Sequence, residues 1–415
     1  MEILIIIFLA LFASFILGEI FARYSIPKMI APLIIGSIFA LDPLSGFFYA
    51  NINFTVFDLI KDIALVFLLF FVGLRINIKS FKNLSRKSLL LGLFSSLIPL
   101  IVGFFSVIII SYLFDLGSII PQSNILLIGF LVGVIFSITS ECVIIEILEE
   151  LGLIDSEIGQ TVLGAGIIDD ILSIFLITII TTLFSESYTS SILISSLLIK
   201  LLQMFVFSVI LFLVSISVIP KILMFINKKE ETTSIFTAAL AISFFLAITT
   251  QFFDLGGLVL GSILGGVIVN YSLSKENSII RKQQKKITEM IEVVTFGFFA
   301  PFFYIWIGFN VELTIFIREP YYILFFLVFL IFSKIFGSMF GNKLTGGNLK
   351  EGFIMGFAMN SKSGLEVIIL SLALTATIIN QELFSILVGV AFLSTIISPT
   401  IFEKLLKKHY SKKYF

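Results

Sequence analysis

The sequence predicts an all-α polytopic membrane protein with about thirteen transmembrane helices, and three observations lead there. Of the 415 residues, 58% are hydrophobic and 13% charged, with a mean hydropathy of +1.15; a soluble chain is roughly 45–50% apolar. The apolar residues fall into runs of about 20, the length that crosses the hydrocarbon core as a helix. The charges gather in the short segments between runs, so the formal net charge of zero says nothing about partners, and nucleic acid is not expected among them. The single cysteine, Cys142, excludes an intramolecular disulfide. The single histidine, His409, lies in the polar tail, so no buried histidine relay or histidine metal site is expected and zinc has no ligand set.

In chain order the runs are 3–22, 28–41, 57–74, 88–114, 124–148, 157–185, 191–226, 233–252, 255–272, 288–309, 320–341, 349–373 and 383–403. The first lacks a small-residue cleavage site and runs into Glu19 and Arg23, which reads as a retained helix rather than a signal peptide. The second and ninth are short, which suggests oblique or broken helices. Basic residues then fix the orientation. They follow the odd-numbered runs: Arg23 and Lys28, RINIKSFKNLSRK, Lys228 and Lys229, KENSIIRKQQKK, Lys343 and Lys350, and the terminal KLLKKHYSKK. The opposite loops hold almost none, Arg318 being the exception, so the positive-inside rule puts the C-terminus in the cytoplasm and the N-terminus outside. These clusters read as topology signals rather than ligand sites.

A faint internal repeat organises the runs. LVFLLFFVGLRINI (65–78) resembles APFFYIWIGFNVEL (300–313), LIIGSIFA (33–40) resembles LVLGSILG (258–265), and ITSECVIIEIL (138–148) echoes MNSKSGLEVIIL (359–370), at offsets of about 220 to 235 residues. Seven spans separate the copies, so they are inserted upside down: two inverted six-helix repeats joined by a linker helix, the plan of secondary transporters. Such proteins bind ions near the midplane, where helices are broken. The fifth run carries SITSEC (137–142) and the twelfth NSKSG (360–364). Each small polar cluster can free backbone carbonyls as hard oxygen ligands for a cation, although close helix packing uses the same residue types.

Six charges inside runs stand out: Glu141, Asp169, Asp170 and Glu366 against Lys334 and Lys362. At about 3 kcal/mol each they cost on the order of 18 kcal/mol if unpaired, so pairing or neutralisation is required. The excess of two acids suits a site that alternates between protons and a cation. Glu141 and Glu366 also read as structural partners for Lys362. Asp169 and Asp170 are adjacent in GAGIIDDILSIFL (164–176) and point about 100° apart on a helix, so they cannot both face one ligand squarely. One can hold an internal partner while the other carries substrate.

The paired aspartates, the preceding ITSECVIIEILEELGLI, the lysine in FSKIFGSMFG and the later NSKSGLEVIIL together resemble the second family of monovalent cation:proton antiporters, nearest the NapA-type sodium/proton antiporters. The resemblance implies an NhaA/NapA-like antiporter fold with the fifth and twelfth spans broken and crossing. It implies a dimer domain from residues 1–87 and 231–315, a core transport domain from 88–185 and 316–405, a linker helix at 186–230 and a cytoplasmic tail at 406–415. It further implies Asp170 as principal carrier of sodium or protons and Asp169 as partner of Lys334 when no cation is bound. Thr139 and Ser140 would lie near the ion, with Glu366, Lys362 and Glu141 in support. Two positions depart from the pattern: Glu141 replaces a small residue, and NSKSG replaces a proline, arginine, glycine run.

The expected activity is exchange of cytoplasmic Na+ or Li+ for external protons by alternating access, without a cofactor, in a homodimer of a prokaryotic inner membrane. Burial disfavours a charged amine, so Lys334 is placed to release a proton when sodium takes Asp169, which makes the exchange electrogenic. The alternative within the family is a potassium/proton antiporter or potassium efflux protein, whose members often carry QD in place of DD. An intramembrane aspartyl protease needs aspartates facing each other from separate helices, which neighbours on one helix cannot supply.

Overall fold

In a computed structural model the described residues are 2–23, 27–41, 46, 54–75, 84–113, 119–120, 124–139, 142–185, 232–252, 257–274, 278–362 and 364–414, with six isolated positions between 206 and 221. All secondary structure among them is helical. The helices are α1 Glu2–Ala22, α2 Ile30–Phe39, α3 Phe54–Arg75, α4 Arg86–Leu113, α5 Ile125–Ser137, α6 Cys142–Glu150, α7 Glu157–Ser185, α8 Thr232–Phe252, α9 Gly257–Ser274, α10 Ser278–Val294, α11 Ala300–Phe309, α12 Ile315–Arg318, α13 Pro320–Leu344, α14 Leu349–Ala358, α15 Leu365–Thr375 and α16 Gln381–Tyr414. Among the described residues, six helical stretches are long and apolar enough to cross a membrane. The expected linker, together with Ser140 and Glu141, lies outside the described residues.

Two departures from the sequence reading are local. The ninth run, expected to be oblique or broken, forms α9, an uninterrupted 18-residue helix, which removes the broken alternative. The basic stretch KENSIIRKQQKK was read as a loop, yet from Ser278 onward it is helical. Its Ile287 and Ile291 are buried against Phe70 and Ile235 while Lys285 is exposed, and this amphipathic spacing supports a helix without a long apolar run.

The described chain divides into two compact units. One comprises residues 1–17, 31–79 and 178–308; its α10 passes into α11 through a π-helical turn, Thr295–Phe299. The other comprises 18–30, 80–177 and 309–415, and it contains every described charged residue singled out inside the runs.

In the second unit, α13 shows why a helix apolar on both faces still has an inside. Leu324, Val328, Phe332, Phe336, Phe340 and Leu344 form an exposed stripe at helical spacing, whereas Phe326, Leu330, Lys334, Ser338 and Gly341 are buried opposite. An apolar stripe exposed in this way suits contact with lipid. The inner face meets α4 through Gly337 and Gly341, spaced as in other close-packed membrane helices. A Cβ on Gly341 would lie 2.6 Å from the Leu90 carbonyl oxygen, and one on Gly337 would strike that of Phe94. Gly341→Ala is therefore expected to destabilise by about 1–3 kcal/mol, seen as a lower melting temperature in detergent. The opposite side of α4 approaches α5 where Gly103 faces Gly133 and α7 where Gly92 faces Ala165. Arg318, the basic exception on its side, sits against Glu382 and 3.7 Å from Glu319, so its charge is locally balanced.

Candidate cation and proton site

The fifth run does not continue as one helix. Helix α5 stops at Ser137, Ile138 is extended (φ −66°, ψ 137°), and α6 begins at Cys142. The last carbonyls of a helix have no partner within it, and the C-terminus carries partial negative charge. Here two buried ammonium groups satisfy them. Lys362 Nζ donates to the carbonyls of Ile135 at 2.8 Å, Phe136 at 3.3 Å and Ile138 at 2.5 Å. Lys334 Nζ donates to the Ser137 carbonyl and, at 2.6 Å, to Thr139 Oγ1. The carbonyls expected to await a cation are thus engaged by the chain's own cations.

Lys362 gives all three of its ammonium protons to backbone, which is a sufficient reason for lysine at the position that departs from the family pattern. Lys362→Met is expected to cost on the order of 3 kcal/mol, because the buried carbonyls lose charged donors. A melting temperature within a degree of the parent would contradict this.

Asp169 is fully buried. Its Oδ2 accepts from the Thr139 amide at 2.8 Å, and its Oδ1 contacts Ser96 Oγ and lies 3.7 Å from Lys334 Nζ. Local packing delivers each group. Gly92 and Ala165 let α4 and α7 touch, and one turn further on Ser96 meets Asp169. Lys334 is three residues before Gly337, on the face of α13 that α4 covers. Asp170, the next residue, is only partly buried. The adjacent aspartates therefore have different surroundings, as the 100° step along a helix requires.

The twelfth run is interrupted opposite the fifth. Helix α14 ends at Ala358, and α15 begins after Gly364, whose φ of 102° is left-handed and favours glycine. The two breaks join where Thr139 Oγ1 donates to the Met359 carbonyl at 2.7 Å. Asn360 is clamped by α16: its Nδ2 donates to Ser398 Oγ at 2.6 Å and its carbonyl accepts from Ser394 Oγ at 3.0 Å. Glu366 Oε1 accepts the Gly364 amide at 3.0 Å, placing a carboxylate in the first turn of α15, where helix polarity favours it. Among the described residues, Asn360 Oδ1, Ser361 Oγ and Glu366 Oε2 are buried without a hydrogen-bond partner.

Four of the sequence-chosen charges are therefore essentially inaccessible: Asp169, Lys334, Lys362 and Glu366. With two acids and two bases they balance, leaving Asp170 as the remaining described acid of the group. The sequence reading missed Ser96, Ser394 and Ser398. Ser95 and Ser96 precede Pro99 within an apolar run, the same kind of small polar cluster that marked the two breaks, and that was the available signal.

Residues 7–408 match the family model described as sodium/hydrogen exchanger, transmembrane. The chain belongs to that family. Among curated members it is 25% identical to the Na(+)/H(+) antiporter of Enterococcus hirae, over 99% of this chain and all of that one. It is 23% identical to the Na(+)/H(+)-K(+) antiporter GerN of Bacillus cereus, over 95% and 94% respectively. In fold it resembles the sodium proton antiporter MjNhaP1 from Methanocaldococcus jannaschii at pH 8, with a TM-score of 0.72 and 17% identity over 100% of this chain and 99% of that one. These comparisons make the chain a multi-pass membrane protein of an exchanger family whose cited members are transporters rather than enzymes.

Proposed function

We propose that the protein exchanges Na+ or Li+ for protons across a prokaryotic inner membrane, with Asp170 as the carrier. The observation that carries this reading is the unequal setting of adjacent carboxylates. Asp169 is sealed among Lys334, Thr139 and Ser96, while Asp170 retains access. Sodium favours hard carboxylate oxygen, and a proton neutralises the same group, so one loaded form excludes the other. Each loaded form adds one positive charge beside a balanced buried set.

In this reading Asp169 and Lys334 form the internal pair that sodium loosens, so a second proton leaves from Lys334 and the exchange is electrogenic. Thr139 links the two breaks, Lys362 and Glu366 hold the ends of α5 and α15, and Ser140 is assigned to the ion's neighbourhood and Glu141 to a supporting role by the resemblance alone. The larger plan is also proposed: about thirteen spans, two inverted repeats around a linker at 186–230, and a C-terminus in the cytoplasm. The core is assigned to 88–185 and 316–405, and a dimer domain to 1–87 and 231–315. The family match and the full-length likeness to a solved antiporter support it.

The test is reconstitution into proteoliposomes holding a pH-sensitive dye, with pulses of sodium, lithium or potassium. Sodium and lithium are expected to drive proton movement. A response to potassium in preference to both would overturn the assignment.

A further inference from the structure

Many buried hydroxyls in this chain return their proton to a carbonyl one turn back. Ser95 and Ser106 do so on α4, Thr161 on α7, Ser333 on α13 and Ser371 on α15. Ser173 does not. It lies on α7, one turn past the paired aspartates, and is 2% exposed. Among the described residues its Oγ has no hydrogen-bond partner, and no other hydroxyl of α7 is left so. A hydroxyl shut away from water without a partner is destabilising, so its presence calls for a reason.

Its place on the helix supplies one. Asp169 and Asp170 point about 100° apart, and at the same step per residue Ser173 comes round to a direction between the two. Gly166 holds the matching place one turn earlier and has no side chain to offer. From Asp170 to Ser173 the helix rises about 4.5 Å, and side chains three apart are neighbours. A cation of sodium's size sits about 2.4 Å from the oxygens that bind it, as calcium does. One ion can therefore touch an Asp170 oxygen and the Ser173 hydroxyl together. The neighbouring helix keeps another oxygen at this level. Gly92 lies against Ala165 and Ser96 against Asp169, so α4 and α7 run in the same direction. The next turn of α4 holds the buried Pro99, which has no amide for the Ser95 carbonyl.

We propose that Ser173 is a cation ligand: its hydroxyl completes the shell of an ion carried by Asp170 and sets the preference for Na+ or Li+ over K+. The proposal rests on the antiport reading above and names the group that gives it selectivity. Both oxygens belong to one turn of a single helix, so their spacing does not widen for a larger ion, and choice between cations follows cavity size and ligand rigidity.

The test compares Ser173→Ala and Ser173→Cys with the parent in proteoliposomes under sodium, lithium and potassium pulses. Alanine removes the oxygen; cysteine keeps the size but presents a soft sulfur. Both are expected to raise the sodium KM about tenfold and to lower the preference for sodium over potassium by a similar factor. Without sodium, the alanine variant is expected to melt no lower than the parent, since no described group loses a partner. A sodium KM within twofold of the parent in either variant overturns the proposal, with alanine because the oxygen is not needed and with cysteine because size alone suffices. An unchanged preference between the ions overturns the selectivity role. A second readout needs no transport: the sodium concentration that half-maximally stabilises the protein against heat in detergent should rise about tenfold in the alanine variant. If the parent exchanges no cation, the antiport reading fails by itself, and a melting curve that ignores sodium in the parent, or responds identically in the variant, brings down the Ser173 site as well.

Discussion

Asparagine at position 170 is expected to reduce sodium-driven proton movement to background while the protein still folds and melts close to the parent. The side chain keeps its size but can neither bind a proton near neutral pH nor balance the charge of sodium, and a cation in a membrane interior without a counter-charge is costly. Because Asp170 is only partly buried, the substitution leaves the balanced set of Asp169, Lys334, Lys362 and Glu366 untouched. Asp169→Asn differs in kind. It removes the acid near Lys334, so it is expected to lower stability as well as exchange. Loss of stability from Asp170→Asn and not from Asp169→Asn would reverse the two roles, and melting curves in detergent beside flux measurements would show it.

The largest expected effect on stability belongs to Lys334→Ala. It strips a buried carboxylate of its ammonium partner and takes a donor from Ser137 and Thr139. Breaking a buried pair by removing one member costs about 3–5 kcal/mol, mostly because the remaining charge is left uncompensated. The same argument predicts recovery: adding Asp169→Asn should restore part of the loss, since neither charge then remains. Thermal unfolding of the two single variants and the double variant measures the coupling directly. Additive losses would mean that the 3.7 Å approach of Lys334 to Asp169 carries no mutual stabilisation.

The parts legible in the sequence were those written in residue type. Apolar runs of membrane length gave the helices, and polar clusters within them, SITSEC and NSKSG, marked where α5 and α14 stop. Charges too costly to leave in lipid marked Asp169, Lys334, Lys362 and Glu366 among six that had to be paired or neutralised, but a count of four acids against two bases did not show which of them would be buried together. Partner choice was less legible, because it depends on register between helices remote in sequence. Nothing in NSKSG says that Lys362 turns to the carbonyls at the end of α5, 224 to 227 residues earlier. Ser96 was missed for the same reason: it meets Asp169 through the touching of Gly92 and Ala165, and an apolar run does not reveal which neighbour a small residue faces. The KENSIIRKQQKK stretch shows the opposite error, since its charge pattern hid the start of a helix whose buried Ile287 and Ile291 come only after it.

The central claim is that sodium and protons compete at Asp170 beside a buried pair that itself yields a proton. The most direct measurement is sodium flux against a proton gradient in proteoliposomes whose membrane potential is clamped with potassium and valinomycin. The account predicts that net flux reverses where the sodium gradient balances two proton gradients, and that this point moves with voltage. Reversal at equal sodium and proton gradients, unchanged by voltage, would contradict it.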